Sequence, residues 1–426
     1  MRRARRTFLT FMVASVAAPA VLRMARAAPQ VTLKLHHFFS SVSCGHDKFL
    51  APWARKVEAD SGGRIRIDIF PSMQLGGAPA QLFDQAHDRL ADIVWAMPSH
   101  TPGRFPKIEL FELPFVPSRR ALVNSKALED YASANLKDEF REFHPICFSC
   151  RDRGVVHARR KVASLGDLKG LRLHVPNRIA ADAAHALGAR GVPMAVPQLP
   201  MAISGRVVDG CLDPWDLVPG LKLEDLLKAH ADFAESSLST TTLVLAMNKI
   251  AYDRLPRDLK AVIDANSGQP AASMAGAMWD AEAAAVADAA RARGDTLTTV
   301  TAEEVARARK VTEPVIAAWL KQMKEHRGDG NRLLAGARDL LAKYANVPDP
   351  PPPPKPTPSP PQTAVARPQP PQPPRAPTAS VPQPPQAKAE LPTPPKPSSP
   401  PTAPAAPAAR PAPAARPVPR ELDIPL

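Results

Sequence analysis

The sequence predicts an α/β fold, because short apolar strand patterns alternate with segments of helical periodicity through most of its 426 residues. The first strand pattern has a period of two at Val31–His36, and an amphipathic helical pattern follows at Asp47–Ala59. Residues 28–347 give a folded part of about 320 residues, which is enough for two ordinary domains. Such alternation is typical of parallel sheets covered by helices on both faces.

The individual elements follow from the same two periodicities. The predicted strands are Val31–His36, Arg64–Phe70, Ile93–Met97, Pro145–Phe148, Leu171–Val175, Val192–Val196 and Leu243–Met247. The predicted helices are Asp47–Ala59, Pro79–Arg89, Ala121–Phe140, Arg178–Leu187, Leu199–Ser204, Ala271–Arg293 and Ala302–Glu325. Two sheet domains joined by crossing strands would enclose a cleft between them.

A proline-rich segment, residues 348–426, follows the predicted folded part. It holds 32 of the 52 prolines of the chain, and no aromatic residue follows Tyr344. Such a composition cannot form a packed core and favours extended polyproline II, so we expect a disordered tail. The tail is either a tether that contacts the cell wall or another protein, or an appendage without a partner.

Residues 1–27 are typical of a signal peptide. They carry six arginines and no acid, an uncharged apolar run at Thr7–Leu22, and the cleavage pattern Ala25-Arg26-Ala27. The segment Arg5-Arg6-Thr7-Phe8-Leu9 fits the twin-arginine export pattern, and a general secretory signal is the alternative. We therefore expect an exported protein in the periplasm.

The charge distribution argues against nucleic acid as a partner. The formal net charge is +14, but the first 27 residues contribute +6 and residues 351–426 contribute +5, which leaves about +3 for the middle. The sequence also contains no G-x-G-x-x-G, phosphate-binding, G-x-S-x-G or H-E-x-x-H motif. These observations favour a binding protein over an enzyme, with no cofactor.

Four cysteines raise the alternative of metal or redox chemistry. Cys147-x-x-Cys150 lies in an apolar segment with a strand pattern, where residues three apart point to opposite faces. We therefore expect the two sulfurs to point away from each other and to form neither a disulfide nor a shared metal site. Cys44 lies near His46, but a second ligand pair at metal spacing is missing. We therefore expect buried thiols and no metal site. A periplasmic enzyme that uses His174, Asp213 and a cysteine is the remaining catalytic alternative.

Five segments in one order carry a resemblance to a known family. They span residues 51–77, 91–115, 167–178 (DLKGLRLHVPNR), 206–219 (RVVDGCLDPWDLVP) and 243–268. Together they resemble the solute-binding proteins of tripartite ATP-independent periplasmic (TRAP) transporters, the DctP-type family, over roughly residues 31–345. The resemblance implies a two-domain periplasmic binding-protein fold with a ligand cleft and a long connecting helix. It also implies a small organic acid as ligand and a membrane permease as partner, whereas a sensor or scaffold on the same fold is the alternative function.

The resemblance places the ligand carboxylate at residue 174, where family members carry an arginine. This chain has His174 there, and an unperturbed histidine is mostly neutral at pH 7 and cannot make a two-pronged contact. Arg172 shares a face of the same strand and is a candidate substitute, whereas His174 could instead simply pack in the core.

The resemblance implies three further residues at the ligand cleft. Arg104 is the second candidate for an anion contact, or else a surface ion-pair partner. Asp213 lies where the family has a polar or apolar residue before proline, and Trp215 is a candidate aromatic wall or a packing residue.

The end of the first strand supplies the last candidates. Phe38 lies in a loop that lines the cleft in the family, and by alternation only one of His36 and His37 can face a ligand, with His37 favoured. Loss of an arginine and gain of Asp213 would shift the pocket toward negative charge. We therefore expect a ligand with a neutral or cationic head group, or an aromatic acid held through Arg104 alone.

Overall fold

The computed structural model describes residues 29–234 and 236–348, and these residues form the expected α/β fold with two sheets. The predicted signal peptide (1–27) and nearly all of the predicted tail lie outside the described residues, as does the separate unit Pro354–Leu426. The strands in chain order are β1 Val31–His37, β2 Ile65–Phe70, β3 Ile93–Ala96, β4 Phe143–Cys150, β5 Val155–Ala158, β6 Arg172–His174, β7 Arg190–Val192, β8 Gly210–Asp213, β9 Ala229–Phe233, β10 Thr242–Asn248 and β11 Thr296–Val300.

The strands form one sheet in each of two lobes. The first lobe has the strand order β2-β1-β3-β10-β4, and the second has β11-β9-β5-β8-β6-β7. Strand β10 runs antiparallel to β3 and β4, and β5 runs antiparallel to β8 and β9. Both sheets are therefore mixed, with the expected parallel pairs and one antiparallel strand in each. The antiparallel strands are β5 and β10. Each enters its sheet directly from the other lobe, without the crossover helix that a parallel connection within one sheet needs.

Helices cover the sheets and complete the lobes. Their bounds are α1 Ala51–Asp60, α2 Leu82–His87, α3 Ala121–Asn135, α4 Arg178–Ala186, α5 Leu199–Ser204, α6 Leu217–Gly220, α7 Lys249–Asp253, α8 Arg257–Ala265, α9 Gln269–Ala292, α10 Ala302–Glu325 and α11 Gly330–Tyr344. A π-helical turn, Gly45–Leu50, leads directly into α1. Among the helices that the structure describes, none combines the length and the apolar character that crossing a membrane requires.

Four connections join the lobes. Residues 151–154 lead from β4 to β5, and residues 234–241 lead from β9 back to β10. The two segments are hydrogen-bonded to each other, since Arg151 N–H donates to Thr241 O at 2.9 Å and Gly154 N–H to Ser239 O at 2.6 Å. Helices α9 and α10 also contribute buried residues to the cores of both lobes. The backbone around residue 151 is therefore fixed at the centre of the molecule.

One predicted strand is displaced. The pattern Val192–Val196 predicted a strand, but β7 ends at Val192 and a short 3-10 turn occupies Val196–Gln198. Pro193 and Pro197 lack the N–H groups that a sheet ladder needs, so the strand cannot continue.

The cysteines are free and buried. As expected from strand alternation, Cys147 packs in the core on the α1 and α9 side of the first sheet, and Cys150 packs in the core on the α3 side. Burial raises the pKa of both thiols, which keeps them protonated and unreactive.

Candidate functional site

The two sheets present their strand ends to each other across the connecting segments. In the first lobe, β1, β3 and β4 end at the edge where β10 begins, because β10 is antiparallel to both of its neighbours. In the second lobe, β6, β8 and β9 end at the edge where β5 begins. Ligands of open α/β sheets bind outside the carboxyl ends of strands, so the space between these edges is the candidate site.

Arg151 lies at the centre of this site, in the first residue after β4. Its side chain is buried and forms an ion pair with Asp216 of the second lobe. Its guanidinium carbon lies 5.7 Å from the ring centroid of Phe39 and 5.2 Å from that of Trp279. Aromatic faces attract a weakly hydrated cation, so these two rings hold the guanidinium in one orientation.

An aromatic cluster continues from Arg151 into the first lobe. Trp95 stacks on Trp279 with ring centroids 6.1 Å apart and 14° between planes, and Phe39 lies 4.8 Å from Trp95. Gly45 is required beside them, because a Cβ there would lie 2.7 Å from a ring carbon of Trp95. The cluster therefore offers flat apolar walls on one side of the site.

Several polar atoms in this cluster are buried without a hydrogen-bond partner. They are Arg151 Nε, Trp95 Nε1 and Trp279 Nε1. All three are obligate donors, because neither a guanidinium nor an indole N–H can accept a hydrogen bond. Buried donors without acceptors are costly, so their environment favours a bound group that is rich in acceptors, such as a carboxylate.

His36 and His37 lie on opposite sides of β1. The His36 ring bonds to Gln85 Oε1 at 2.7 Å, away from the aromatic cluster, whereas His37 packs edge-on against Trp95. His37 Nε2 lies 2.9 Å from His46 Nδ1. Burial, together with the neighbouring His46, lowers the pKa of His37 to about 3. His37 is therefore neutral at physiological pH and contributes a polar edge, not a charge.

The lowered pKa of His37 predicts acid destabilisation. The pKa of His37 is lower in the folded protein than its value of about 6.5 in the unfolded chain. The contribution of neutral His37 to stability is therefore complete above pH 6.5 and is lost as pH falls toward 3. We expect His37 to account for about 3 kcal/mol of lost unfolding free energy at pH 4. Urea denaturation at pH 7 and pH 4 of the parent and of His37→Gln measures this. An equal loss in both proteins would contradict the assignment.

His174 and Asp213 form a buried pair across β6 and β8. His174 Nδ1 donates to Asp213 Oδ2 at 2.7 Å, and His174 Nε2 donates to Met194 O at 3.3 Å. A carboxylate oxygen and a backbone carbonyl both act as acceptors, and this arrangement favours the ring with both N–H groups, the imidazolium. Burial opposes that charge, but the Asp213 carboxylate outweighs burial and raises the pKa of His174.

This pair corrects the expected charge of the pocket. The sequence indicated a neutral His174 beside an unopposed Asp213, and therefore a site that repels anions. In the structure Asp213 faces His174, and a second buried ion pair, Arg151 with Asp216, lies at the connecting segment. The expected excess of negative charge is therefore absent, because Asp213 has a partner that the sequence did not reveal, and the charge-based reason for a neutral or cationic head group loses its premise.

Arg104 does not lie at this site. It forms an ion pair with Asp84 at 2.6 Å, and its guanidinium carbon lies 5.9 Å over the ring of Phe143. Phe143 is the first residue of β4 and Arg151 follows the last, so the two arginines are about 25 Å apart. The prediction that Arg104 holds the ligand is corrected accordingly. Arg172 is also engaged, through two hydrogen bonds to Asp209.

Of the two remaining predicted residues, Phe38 lies beside the aromatic cluster and Trp215 lies in a hydrophobic core. Phe38 is half-buried, stacks on Phe39 at 4.2 Å and meets His100 edge-on, so it lies beside the aromatic cluster. The Trp215 ring packs at 4.9 Å against His157 and belongs to a core of the second lobe. Trp215 is therefore a packing residue, and its backbone N–H donates to Asp152.

The sequence did carry a signal for the missed residues. Arg151 and Asp152 are charged residues placed directly after a buried apolar strand, which is where parallel strands present ligand-binding groups. Trp279 is the only aromatic residue in the alanine-rich helix α9. Among the described residues, no group of three or more histidine, cysteine, aspartate or glutamate side chains is arranged to hold a metal ion.

The structure has two lobes, a hydrogen-bonded pair of crossing segments, and a buried arginine beside an aromatic cluster at the facing strand ends. This is the architecture of the two-lobed solute-binding proteins. The profile of the family described as bacterial extracellular solute-binding protein, family 7 (DctP), matches residues 36–322. The chain belongs to this family.

Solved structures support the same assignment. The chain is 39% identical to a TRAP solute-binding protein from Rhodoferax ferrireducens, solved with copurified benzoate, with a TM-score of 0.71 over 74% of this chain and 99% of that one. It is 36% identical to a marine metagenome TRAP solute-binding protein specific for aromatic acids, solved with 3-hydroxybenzoate, with the same TM-score and the same coverage.

The curated relatives are matched over shorter stretches. The chain is 29% identical over 265 residues to protein y4mM of Sinorhizobium fredii, which covers 61% of this chain and 48% of that protein. It is 25% identical over 199 residues to solute-binding protein RD1_1052 of Roseobacter denitrificans, covering 45% and 59%. The chain thus spans about half of the length of these relatives.

Proposed function

We propose that this protein is the extracytoplasmic receptor of a TRAP transporter, that it binds an aromatic monocarboxylate between its lobes, and that it delivers the ligand to a membrane permease. The observation that carries the proposal is the buried Arg151 guanidinium, which lies against the rings of Phe39 and Trp279 and has an unpartnered Nε–H. A carboxylate accepts from such a donor, and the adjacent rings receive an aromatic body. A periplasmic location rests on residues 1–27 acting as an export signal.

The charges of the site favour one carboxylate over two. The nearby cations are each matched by an acid: Arg151 by Asp216, His174 by Asp213, and Lys48 by Glu282 at 2.6 Å. The Arg151 Nε–H remains without an acceptor and is one donor for one carboxylate. A second carboxylate would have to displace one of these partners and leave it buried without its counter-charge. A monocarboxylate avoids that cost.

The related structures support the same ligand class. Two solved relatives above one-third identity hold an aromatic acid, benzoate in one and 3-hydroxybenzoate in the other. A third, from Bordetella bronchiseptica at 25% identity, was solved with (R)- and (S)-mandelate. These ligands share one carboxylate and one benzene ring, which is the combination that the aromatic cluster around Arg151 accommodates.

A thermal-shift comparison tests the proposal. The full chain is refolded from denaturant to remove copurified ligand, and is then tested with benzoate, 3-hydroxybenzoate, cyclohexanecarboxylate, benzamide and succinate. Benzoate at 100 times its dissociation constant adds about 2.7 kcal/mol, which raises the melting temperature by about 5 °C.

The other compounds test separately whether the aromatic ring and the carboxylate of the ligand are recognised. We expect a smaller shift with cyclohexanecarboxylate, which lacks the flat ring, and none with benzamide or succinate. A shift with succinate alone, or no shift with any aromatic acid, would contradict the proposed ligand class.

A further inference from the structure

A second acid, Asp152, lies beside Arg151 and has no cation of its own. Asp152 is 1% exposed, and its Oδ2 accepts a hydrogen bond from the backbone N–H of Trp215 at 3.2 Å. Its Oδ1 is buried without a partner. Among the described residues it forms no ion pair within 4.0 Å, because Arg151 is held by Asp216 and Arg153 by Asp232.

The charges around Asp152 come from several elements. The groups that face it or its neighbour Asp216 are Arg151 and Arg153 of the connecting segment, Cys44 before α1, Asp213 at the end of β8 and Glu282 on α9. Both arginines already have acid partners, Arg151 in Asp216 and Arg153 in Asp232. Asp213 and Glu282 pair with His174 and Lys48. A ligand carboxylate would therefore add one uncompensated negative charge to a buried cluster, which is strongly unfavourable unless a proton enters with it.

We propose that the receptor binds the ligand carboxylate together with one proton, which is carried by Asp152 and donated from its Oδ1 to a ligand oxygen. This inference rests on the proposed function and names a specificity-determining residue of the same site. Arg151 Nε and the protonated Asp152 then supply two donors to one carboxylate group. A carboxylic acid that is kept protonated by its surroundings is an effective donor in an apolar site.

The electrostatics of the unliganded protein agree with this assignment. Burial, followed by the repulsion from Asp216, raises the pKa of Asp152 well above its usual value. A ligand carboxylate close by raises the pKa of Asp152 further. Binding therefore takes up most protons at pH values where Asp152 is ionised in the ligand-free protein and protonated in the complex.

Titration calorimetry of the full chain with benzoate tests the proposal between pH 6 and 9. Benzoate itself stays ionised over this range. We expect the dissociation constant of the parent to rise by about tenfold per pH unit over the alkaline part of the range. Heats measured in buffers of different ionisation enthalpy should report the uptake of up to about one proton there.

Matched variants identify the group that takes the proton. Asp152→Asn keeps a donor but cannot titrate, so we expect its dissociation constant to vary less than about twofold over the same range, without proton uptake. Asp84→Asn, an exposed acid paired with Arg104, should retain the parent's pH profile. If Asp152→Asn keeps the parent's slope, another group such as His174 takes the proton and the proposal is overturned.

The remaining outcomes are also decisive. Parent protein that binds benzoate equally at every pH, without proton uptake, overturns this inference and leaves the proposed function intact. Folded Asp152→Asn that no longer binds benzoate shows that Asp152 acts as a charged acceptor, which again overturns it. Parent protein that binds no aromatic acid at any pH refutes the proposed function itself.

Discussion

Arg151→Lys is expected to weaken benzoate binding by about 100-fold or more. Lysine keeps the positive charge but lacks the planar fork that lies against Phe39 and Trp279, and it has no Nε–H. Loss of one partner of a buried, hydrogen-bonded charge pair costs about 2–5 kcal/mol, which corresponds to factors of roughly 30 to several thousand. Isothermal titration of parent and variant at pH 6 measures the change.

Arg104→Lys is the matched control for this experiment. Arg104 also stacks on phenylalanine rings and also pairs with an aspartate, but it lies at the opposite end of β4. We expect the dissociation constant of the Arg104→Lys variant for benzoate to stay within about twofold of the parent value. The reverse result, with Arg104→Lys impaired and Arg151→Lys unaffected, would restore the site that the sequence alone indicated.

Trp279→Ala is expected to reduce both stability and binding. Trp279 is fully buried, stacks on Trp95, and lies beneath the Arg151 guanidinium. Removal of a buried tryptophan costs about 3–5 kcal/mol, and here it also removes one of the two rings that orient Arg151. We expect a melting temperature lower by about 10 °C and benzoate binding at least tenfold weaker, measured well below the melting temperature.

Trp319→Ala separates the two effects. Trp319 is equally buried, on α10, and its Nε1–H donates to Pro106 O at 2.9 Å, far from the aromatic cluster. Its replacement should cost a similar free energy of unfolding and leave the benzoate dissociation constant unchanged. Unchanged binding in folded Trp279→Ala would show that the ring supports the fold only.

The sequence predicted the architecture well where periodicity is strong. Helix α10 begins and ends at the predicted residues Ala302 and Glu325, because its apolar stripe and its Thr301 cap mark both bounds. Strands β5, β8, β9 and β11 were not predicted. They are four or five residues long, too short to establish alternation, and their partners come from distant parts of the chain.

The site was harder to predict, because its chemistry depends on contacts between lobes. The sequence singled out His174 as a candidate, but the charge of this residue depends on Asp213, 39 residues further along the chain. Arg151 acquires its role from contacts with Phe39 and Trp279, and each of these is more than 100 residues away along the chain. Neither spacing nor composition of a single segment contains that information.

The central claim is that the ligand carboxylate binds at Arg151, between the strand ends of the two lobes. A crystal structure of the full chain with benzoate tests it most directly. The account predicts a carboxylate oxygen within hydrogen-bond distance of Arg151, with the benzene ring against Phe39, Trp95 or Trp279. A carboxylate held instead by Arg172 or Arg104, with Arg151 bound only to Asp216, would contradict it.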